Sequence, residues 1–251
     1  MSRVPTGESV TARVMRVVEA FGLDDGSLTV TDIARRSGLH VATASRLIDE
    51  LVGSGWLERD GRRVRIGVRL WEVVSRASPT VGLREAAMPF MEDLHAVIGH
   101  HTQLGVMDGG EVLFIERLTA PGAAVNFTRI AGRLPLHASS SGLVLLAHSS
   151  VEEQERVIGE PLTVFTDRTV STGRALREKL AEVRKQGYAY CAGHLHPSTT
   201  GIAVPVRTPA QSVVAALSVV VPNDATARSL IPALQAAGRG ISRVLAHPAT
   251  H

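Results

Sequence analysis

Three side chains that could bind a metal or act in nucleophilic chemistry lie close together in the sequence: Cys191, His194 and His196. On a strand, residues two apart point to the same face, so the two histidines could act together. With His100 or His101 they could form a zinc site, and Cys191 beside a histidine could form a nucleophile. The chain has one cysteine, and neither a His-Glu helical pair nor a glycine-rich phosphate loop accompanies these residues. We therefore expect no metal, cofactor or catalytic residue, and a zinc- or thiol-dependent sensor or enzyme is the alternative hypothesis.

A run of three serines and a glycine, Ser139 to Gly142, opens an apolar segment that predicts a helix. The first backbone amides of a helix are unpaired and lie at the positive end of its dipole. The amides of Ser140 and Ser141 could therefore bind a carboxylate. The alternative is that these serines only cap the helix.

Thr43, Ser45 and Arg46 are polar residues on the outward face of a helix predicted over about Val41 to Val52. The apolar residues recur at i, i+3, i+4, i+7 and i+8, which predicts one buried stripe. That stripe is Ala44, Leu47, Ile48, Leu51 and Val52. Gly38 can adopt the left-handed conformation that ends the helix before it. Such a helix pair is typical of DNA-binding domains, and an ordinary helical hairpin is the alternative.

A basic hairpin follows the helix pair. Two short strands, Gly55 to Arg59 and Arg63 to Gly67, flank an Asp60-Gly61 turn signal, and Arg62 adds charge at the tip. Three helices followed by a basic hairpin are the layout of a winged helix-turn-helix. The sequence therefore predicts DNA contacts by five residues, which are Thr43, Ser45, Arg46, Arg62 and Arg63. Alternatively, the hairpin tip is only solvated, and Arg46 pairs with Glu50 one helical turn later.

The chain divides into three predicted parts: a winged helix-turn-helix over 8–67, a linker helix over 68–81 and a second domain over 82–249. In the linker, Trp71 either contributes to a dimer contact or packs under the wing. The second part alternates strands and helices, which indicates an α+β domain. Its predicted strands lie at about 102–107, 111–117, 124–130, 188–194, 201–206 and 213–221, and its helices at about 83–98, 143–147, 151–159, 172–186 and 225–245.

Composition limits the class of protein. The chain has 251 residues with a net charge of +3, so a basic surface for nucleic acid must be local. One cysteine excludes an intramolecular disulfide and favours a reducing compartment. Neither a signal-peptide pattern nor an apolar run of about 18 residues is found, so we expect a cytoplasmic protein.

The sequence resembles the IclR family of bacterial transcriptional regulators over nearly its whole length. The motifs that carry the resemblance are SVTARVMRVVEAF at Ser9, DIARRSGLHVATASRLIDEL at Asp32, GRLPLHASSSGLVLLA at Gly132, VRKQGYAY at Val183, GIAVPV at Gly201 and ALSVVVP at Ala216. The resemblance implies a winged helix-turn-helix joined by a linker helix to a GAF-like effector-binding domain with an antiparallel sheet flanked by helices. It also implies a dimer or tetramer on a palindromic operator, with Trp71 near the dimer contact. The family consists of regulators rather than enzymes and includes repressors and activators, of which repression is the commoner expectation.

The resemblance also implies which residues close an effector pocket around the serine run. These are Ser140, Ser141, Asn126 near Ala123, Cys191, Gly201, Ser218 and Val220. Relatives that bind small organic acids have an aspartate at the position of Cys191 and a serine at that of Val220. The pocket of this chain is expected to be less polar, so its effector would be a larger or more apolar carboxylate, aromatic acids included. On the DNA-reading helix, Val41 and Ala42 also depart from the family pattern, whereas Thr43 and Arg46 match it.

Overall fold

The computed structural model describes residues 7–247, and the chain separates into two compact units between Val81 and Gly82. The predicted end of the second domain at residue 249 lies outside the described residues. No described helix is both long and apolar enough to cross a membrane.

The first unit contains helices α1 to α4 and a three-stranded antiparallel sheet in the order β1-β3-β2. In chain order its elements are α1 Val10–Glu19, β1 Leu28–Thr29, α2 Val30–Ser37, α3 Val41–Gly53, β2 Leu57–Asp60, β3 Arg63–Ile66 and α4 Val68–Ala77. This order and pairing form the expected winged helix-turn-helix.

Two features of the sequence set the geometry of the helix pair. Gly38 has φ of 65° and ends α2, and its amide bonds back to the last turn. On α3, four residues at the predicted spacing are buried against α1, α2 and the sheet: Ala44, Leu47, Ile48 and Leu51. Burying each large aliphatic side chain contributes about 1.5 to 3 kcal/mol, so this stripe holds α3 with its polar face outward.

The second unit is built on a six-stranded antiparallel sheet in the order β6-β5-β4-β9-β8-β7. Its strands are β4 His101–Asp108, β5 Glu111–Thr119, β6 Arg133–Pro135, β7 Ala189–Ala192, β8 Thr199–Arg207 and β9 Val213–Pro222. Its helices are α6 Ser140–Ala147, α7 Val151–Gly159, α8 Gly173–Gln186, α9 Ile231–Ala246 and, from Gly82 onward, α5 Pro79–Ile98. A short 3-10 turn, Ala227–Leu230, precedes α9.

The strands are apolar on both faces because helices cover both. Leu217 and Val219 of β9 pack in the core that includes α5 and α9, whereas Ala216, which directly precedes Leu217 and points to the opposite face, packs with α6 and α8. The expected α+β domain, an antiparallel sheet flanked by helices, is confirmed.

One predicted strand is wrong. Residues 124–130 form an irregular segment, and the next strand is β6 at Arg133–Pro135. The Asn126 side chain accepts a hydrogen bond from the Thr128 amide at 3.0 Å, which is a local bond that replaces strand pairing. Ala131 has φ of 62°, which also interrupts an extended chain. The apolar residue Phe127 is 65% exposed, so its alternation with polar residues does not reflect a core face.

Candidate functional site

The outward face of α3 carries the residues predicted to contact DNA. Thr43 and Ser45 are half-buried, and Arg46 is exposed. A nitrogen of Arg46 lies 3.6 Å from a carboxylate oxygen of Glu50, so the ion pair considered as the alternative is present. An exposed pair of this kind contributes only about 0.3 to 0.5 kcal/mol, so Arg46 could leave Glu50 for a phosphate at little cost.

The arginines of the β2–β3 hairpin, which we call the wing, have different partners. Arg59 bonds to Asp49 of α3 at 2.6 Å, and Arg65 lies 2.8 Å from Glu58. Arg63 donates to the hydroxyl of Ser27 at 2.6 Å and so ties β3 to the residue before β1. Among residues 7–247, Arg62 has no hydrogen bond or ion pair. Arg62 is therefore the wing arginine whose guanidinium is available to an external anion.

The linker helix α4 has no buried residue, and Trp71 is 69% exposed. The alternative that Trp71 packs under the wing is therefore wrong for the single chain. Val68 and Val74 on the same helix are exposed as well. The dimer contact through Trp71 stays a prediction.

A cavity lies in the second unit, between the sheet and the start of α6. The space between its wall atoms is about 510 Å³ when the open solvent at its mouth is included. Its wall consists of Gln103, Phe114, Val125, Asn126, Phe127, Thr128, Leu134, Ala138, Ser139, Ser140, Ser141, Cys191, His194, Leu195, His196, Thr199, Gly201 and Val220. Within the part of the chain that the structure describes, no Asp, Glu, Lys or Arg side chain lines it. A charged ligand would therefore meet no acidic, lysine or arginine side chain in the wall.

The start of α6 offers neutral groups to a charged ligand. Ser139 is the N-cap, and its hydroxyl accepts a hydrogen bond from the Gly142 amide at 3.0 Å. The amides of Ser140 and Ser141 have no acceptor among the described residues. Capping and free amides therefore coexist: one serine caps the helix and the next two present donors at the positive end of the dipole.

Six of the seven residues predicted to bind the effector line the cavity, and Ser218 does not. Ser218 is buried and accepts a hydrogen bond from the Ser141 hydroxyl at 2.9 Å, so it supports the wall from behind. Gly201 leaves room at the wall, because a Cβ there would lie 2.9 Å from the Ser140 hydroxyl oxygen. No local sequence pattern marks Gln103, Phe114 or Thr128 as wall residues, because they are spread over two strands and a loop.

Cys191, His194 and His196 also line this cavity. The predicted strand over 188–194 ends earlier, because β7 ends at Ala192 and Gly193, with φ of 73°, begins a turn. The two histidines therefore lie in an irregular segment and do not share a strand face. Burial raises the pKa of the Cys191 thiol to about 12, so the thiolate needed for nucleophilic attack or zinc binding is disfavoured. Burial, followed by the charge of Lys179, lowers the pKa of His194 to about 4. Among the described residues, no group of three or more His, Cys, Asp or Glu side chains is placed to hold a metal ion.

The sequence matches two family descriptions in the order of its two units. Residues 10–61 match the IclR helix-turn-helix domain, and residues 76–243 match the bacterial transcriptional regulator IclR C-terminal domain. The regulator XynR of Escherichia coli is 31% identical over 244 residues, which cover 94% of this chain and 97% of XynR. The relatives matched are transcriptional regulators and not enzymes.

Two solved structures are similar along nearly the whole chain. The first is an IclR homologue from Microbacterium hydrocarbonoxydans complexed with 4-hydroxybenzoate, with 44% identity and a TM-score of 0.91 over 94% of this chain and 99% of that one. The second is an IclR homologue from Microbacterium sp. strain HM58-2, with 42% identity and a TM-score of 0.64 over 97% of this chain and all of that one.

Proposed function

Because the chain belongs to the IclR family of bacterial transcriptional regulators, we propose that it is a repressor whose operator binding changes when its cavity takes up a small aromatic carboxylate. The observation that carries the proposal is the pair of free amides at Ser140 and Ser141, at the start of a helix that opens onto a cavity without acidic, lysine or arginine side chains in its wall. The side chains of Phe114 and Leu134 form an apolar part of the wall, against which the aromatic ring of a ligand could pack. The bound 4-hydroxybenzoate of the Microbacterium homologue supports this ligand class.

Proline at position 140 tests the amide directly. Ser140 is the first residue of α6, where proline is well accepted because its missing N–H has no helical partner. Ser139 is extended, with φ of −102° and ψ of 151°, as the residue before a proline prefers. We expect Ser140→Pro to weaken 4-hydroxybenzoate binding by about tenfold or more, because one hydrogen bond to a charged group is lost. Isothermal titration calorimetry would measure this.

Ser140→Ala is the matched control, since it removes the hydroxyl and keeps the amide. Its affinity should stay within about threefold of the wild type. Benzamide gives a second test that needs no variant, because it has the shape of benzoate without the charge and should bind at least about tenfold more weakly. Equal binding of benzoate and benzamide, or unchanged binding by a folded Ser140→Pro, would contradict the carboxylate site.

For the operator, we propose that α3 enters the major groove with Thr43, Ser45 and Arg46, and that the wing contacts the backbone through Arg62. Two copies joined through the exposed face of α4 would set the spacing of two palindromic half-sites. The effector can change DNA affinity only by binding one arrangement of the copies better than the other.

Arg62→Ala is expected to weaken binding to the DNA upstream of the coding region by about three- to tenfold at physiological salt. The physical reason is the loss of one phosphate contact, so the slope of log affinity against log salt should become less steep by about one unit per chain. Fluorescence anisotropy at several salt concentrations would measure both. Arg174→Ala is the control, because that exposed arginine lies on α8 of the other unit. If the affinity and the salt slope of Arg62→Ala equal those of the control, Arg62 of the wing does not contact the DNA.

The role of Arg63 is expected to differ from that of Arg62. Its guanidinium is occupied by the hydroxyl and carbonyl oxygens of Ser27. We therefore propose that Arg63 mainly positions the wing, and that only its remaining N–H donors are available to DNA.

A further inference from the structure

Two nitrogen atoms in the wall of the effector cavity are buried and have no hydrogen-bond partner among the described residues. They are Nδ2 of Asn126 and Nδ1 of His194. Both residues belong to loops: Asn126 to the irregular segment before β6, and His194 to the turn between β7 and β8. Buried polar groups without partners are rare in folded proteins, and such groups beside a cavity indicate that its occupant supplies the partner.

The orientation of the Asn126 side chain is fixed by its neighbours. Its Oδ1 accepts hydrogen bonds from the Thr128 amide at 3.0 Å and from the Thr128 hydroxyl at 2.9 Å. That hydroxyl in turn accepts a hydrogen bond from the side-chain amide of Gln103 on β4. A reversed Asn126 amide would place its NH2 group against the backbone N–H of Thr128. The unpartnered nitrogen is therefore Nδ2, which can only donate.

The unpartnered nitrogen of His194 complements this donor. Burial keeps the imidazole neutral at physiological pH, so one ring nitrogen carries a proton and the other accepts. The backbone at His194 is held in place, because its carbonyl oxygen accepts from the Thr169 hydroxyl at 2.6 Å. The cavity thus has a fixed donor and a neutral imidazole, in addition to the free amides of α6.

We infer that Asn126 and His194 recognise a hydroxyl group on the ligand, with Asn126 Nδ2 donating to the hydroxyl oxygen and His194 Nδ1 accepting its proton. A hydroxyl group is the smallest substituent that both accepts and donates, so it would satisfy both nitrogens at once. This inference rests on the proposed function and narrows it: the effector class is a hydroxylated aromatic carboxylate, held by its carboxylate at α6 and by its hydroxyl at the two loops.

The test compares the affinities of benzoate and of its 2-, 3- and 4-hydroxy derivatives by isothermal titration calorimetry. The wild type should bind one hydroxybenzoate at least about tenfold more tightly than benzoate, because the unsubstituted ring leaves both nitrogens unpaired. His194→Phe keeps a ring and removes the acceptor, and Asn126→Leu keeps the size and removes the donor. Because Asn126→Leu also removes the Oδ1 that accepts from Thr128, the readout is the ratio of hydroxybenzoate affinity to benzoate affinity within each variant. Each variant should reduce that ratio to about threefold or less.

His196→Phe is the matched control. His196 also lines the cavity, but its Nδ1 lies 2.8 Å from the Ser198 hydroxyl and is therefore already paired. Its variant should keep the hydroxyl preference. Benzoate binding without any preference for a hydroxyl derivative, or a preference that survives in both His194→Phe and Asn126→Leu, would overturn this inference and leave the carboxylate site intact. Failure of every ring carboxylate to bind the wild type would overturn the proposed function as well.

Discussion

Replacing Gly67 with alanine is expected to abolish operator binding and to destabilise the N-terminal unit, while ligand binding in the second unit is retained. A Cβ at position 67 would lie 2.2 Å from the carbonyl oxygen of Gly55 and 2.9 Å from the carbonyl carbon of Trp56. Both atoms are backbone, so no side-chain rotation relieves the collision. The Gly67 amide also donates to the Trp56 carbonyl at 2.8 Å, which holds the two segments together.

The collision would separate the end of the wing from the segment that follows α3. Overpacking in proteins commonly costs about 1 to 3 kcal/mol, and a clash with rigid backbone belongs at or above the upper end of that range. Since Trp56 directly precedes β2, the wing and α3 would lose their relative positions. We therefore expect at least about a hundredfold loss of DNA affinity in an anisotropy titration.

Gly53→Ala is the matched control for this substitution. Gly53 is the last residue of α3, and a Cβ there would meet nothing within 4 Å. Alanine at such a helical position is expected to be neutral or to stabilise the unit by roughly 0.5 to 1 kcal/mol. If Gly67→Ala bound the operator as well as Gly53→Ala, the close approach of these backbone segments would not matter for DNA binding.

The N-terminal unit was largely predictable because its signals are local. The burial of Leu47 and Ile48 follows from the spacing of apolar residues, and the end of α2 follows from Gly38. The Asp60-Gly61 signal correctly placed the tip of the wing. The partner of Arg63 was not predictable, because Ser27 is distant in sequence and is brought near only by the pairing of β1 with β3.

From the residue pattern alone, the cavity was predictable only where a single segment forms it, whereas the family resemblance supplied Asn126, Cys191, Gly201 and Val220. The free amides of Ser140 and Ser141 follow from the serine run and the start of a helix. The connected side chains of Gln103, Thr128 and Asn126 join a strand to a loop, so no local pattern marks them. The same loop made the secondary-structure prediction wrong. Apolar and polar residues alternate around Phe127 as in a strand, but the apolar side chains there are exposed. Residues that a loop brings to a cavity show their role only when the loop conformation is known.

The second large effect is expected in the effector unit, where Gly142→Ala should eliminate binding of aromatic carboxylates. A Cβ at position 142 would lie 2.3 Å from the carbonyl oxygen of Leu136 and 2.5 Å from its Cα. The first turn of α6 would have to move away from the Leu136 segment. That movement displaces the Ser140 and Ser141 amides from the cavity and strains the bond from the Gly142 amide to Ser139.

The expected loss of affinity exceeds that of Ser140→Pro, because both amides move and the cavity wall moves with them. Thermal unfolding should also show a loss of about 3 kcal/mol or more, as for other clashes with rigid backbone. Gly159→Ala is the control: that glycine ends α7, a Cβ there meets nothing within 4 Å, and ligand affinity should not change. A Gly142→Ala protein that binds 4-hydroxybenzoate as tightly as Gly159→Ala would show that the start of α6 does not hold the carboxylate. If Gly142→Ala loses ligand binding but keeps the operator affinity of the wild type without ligand, the first unit is intact. The effector site and the DNA-reading surface are then shown to be distinct sites.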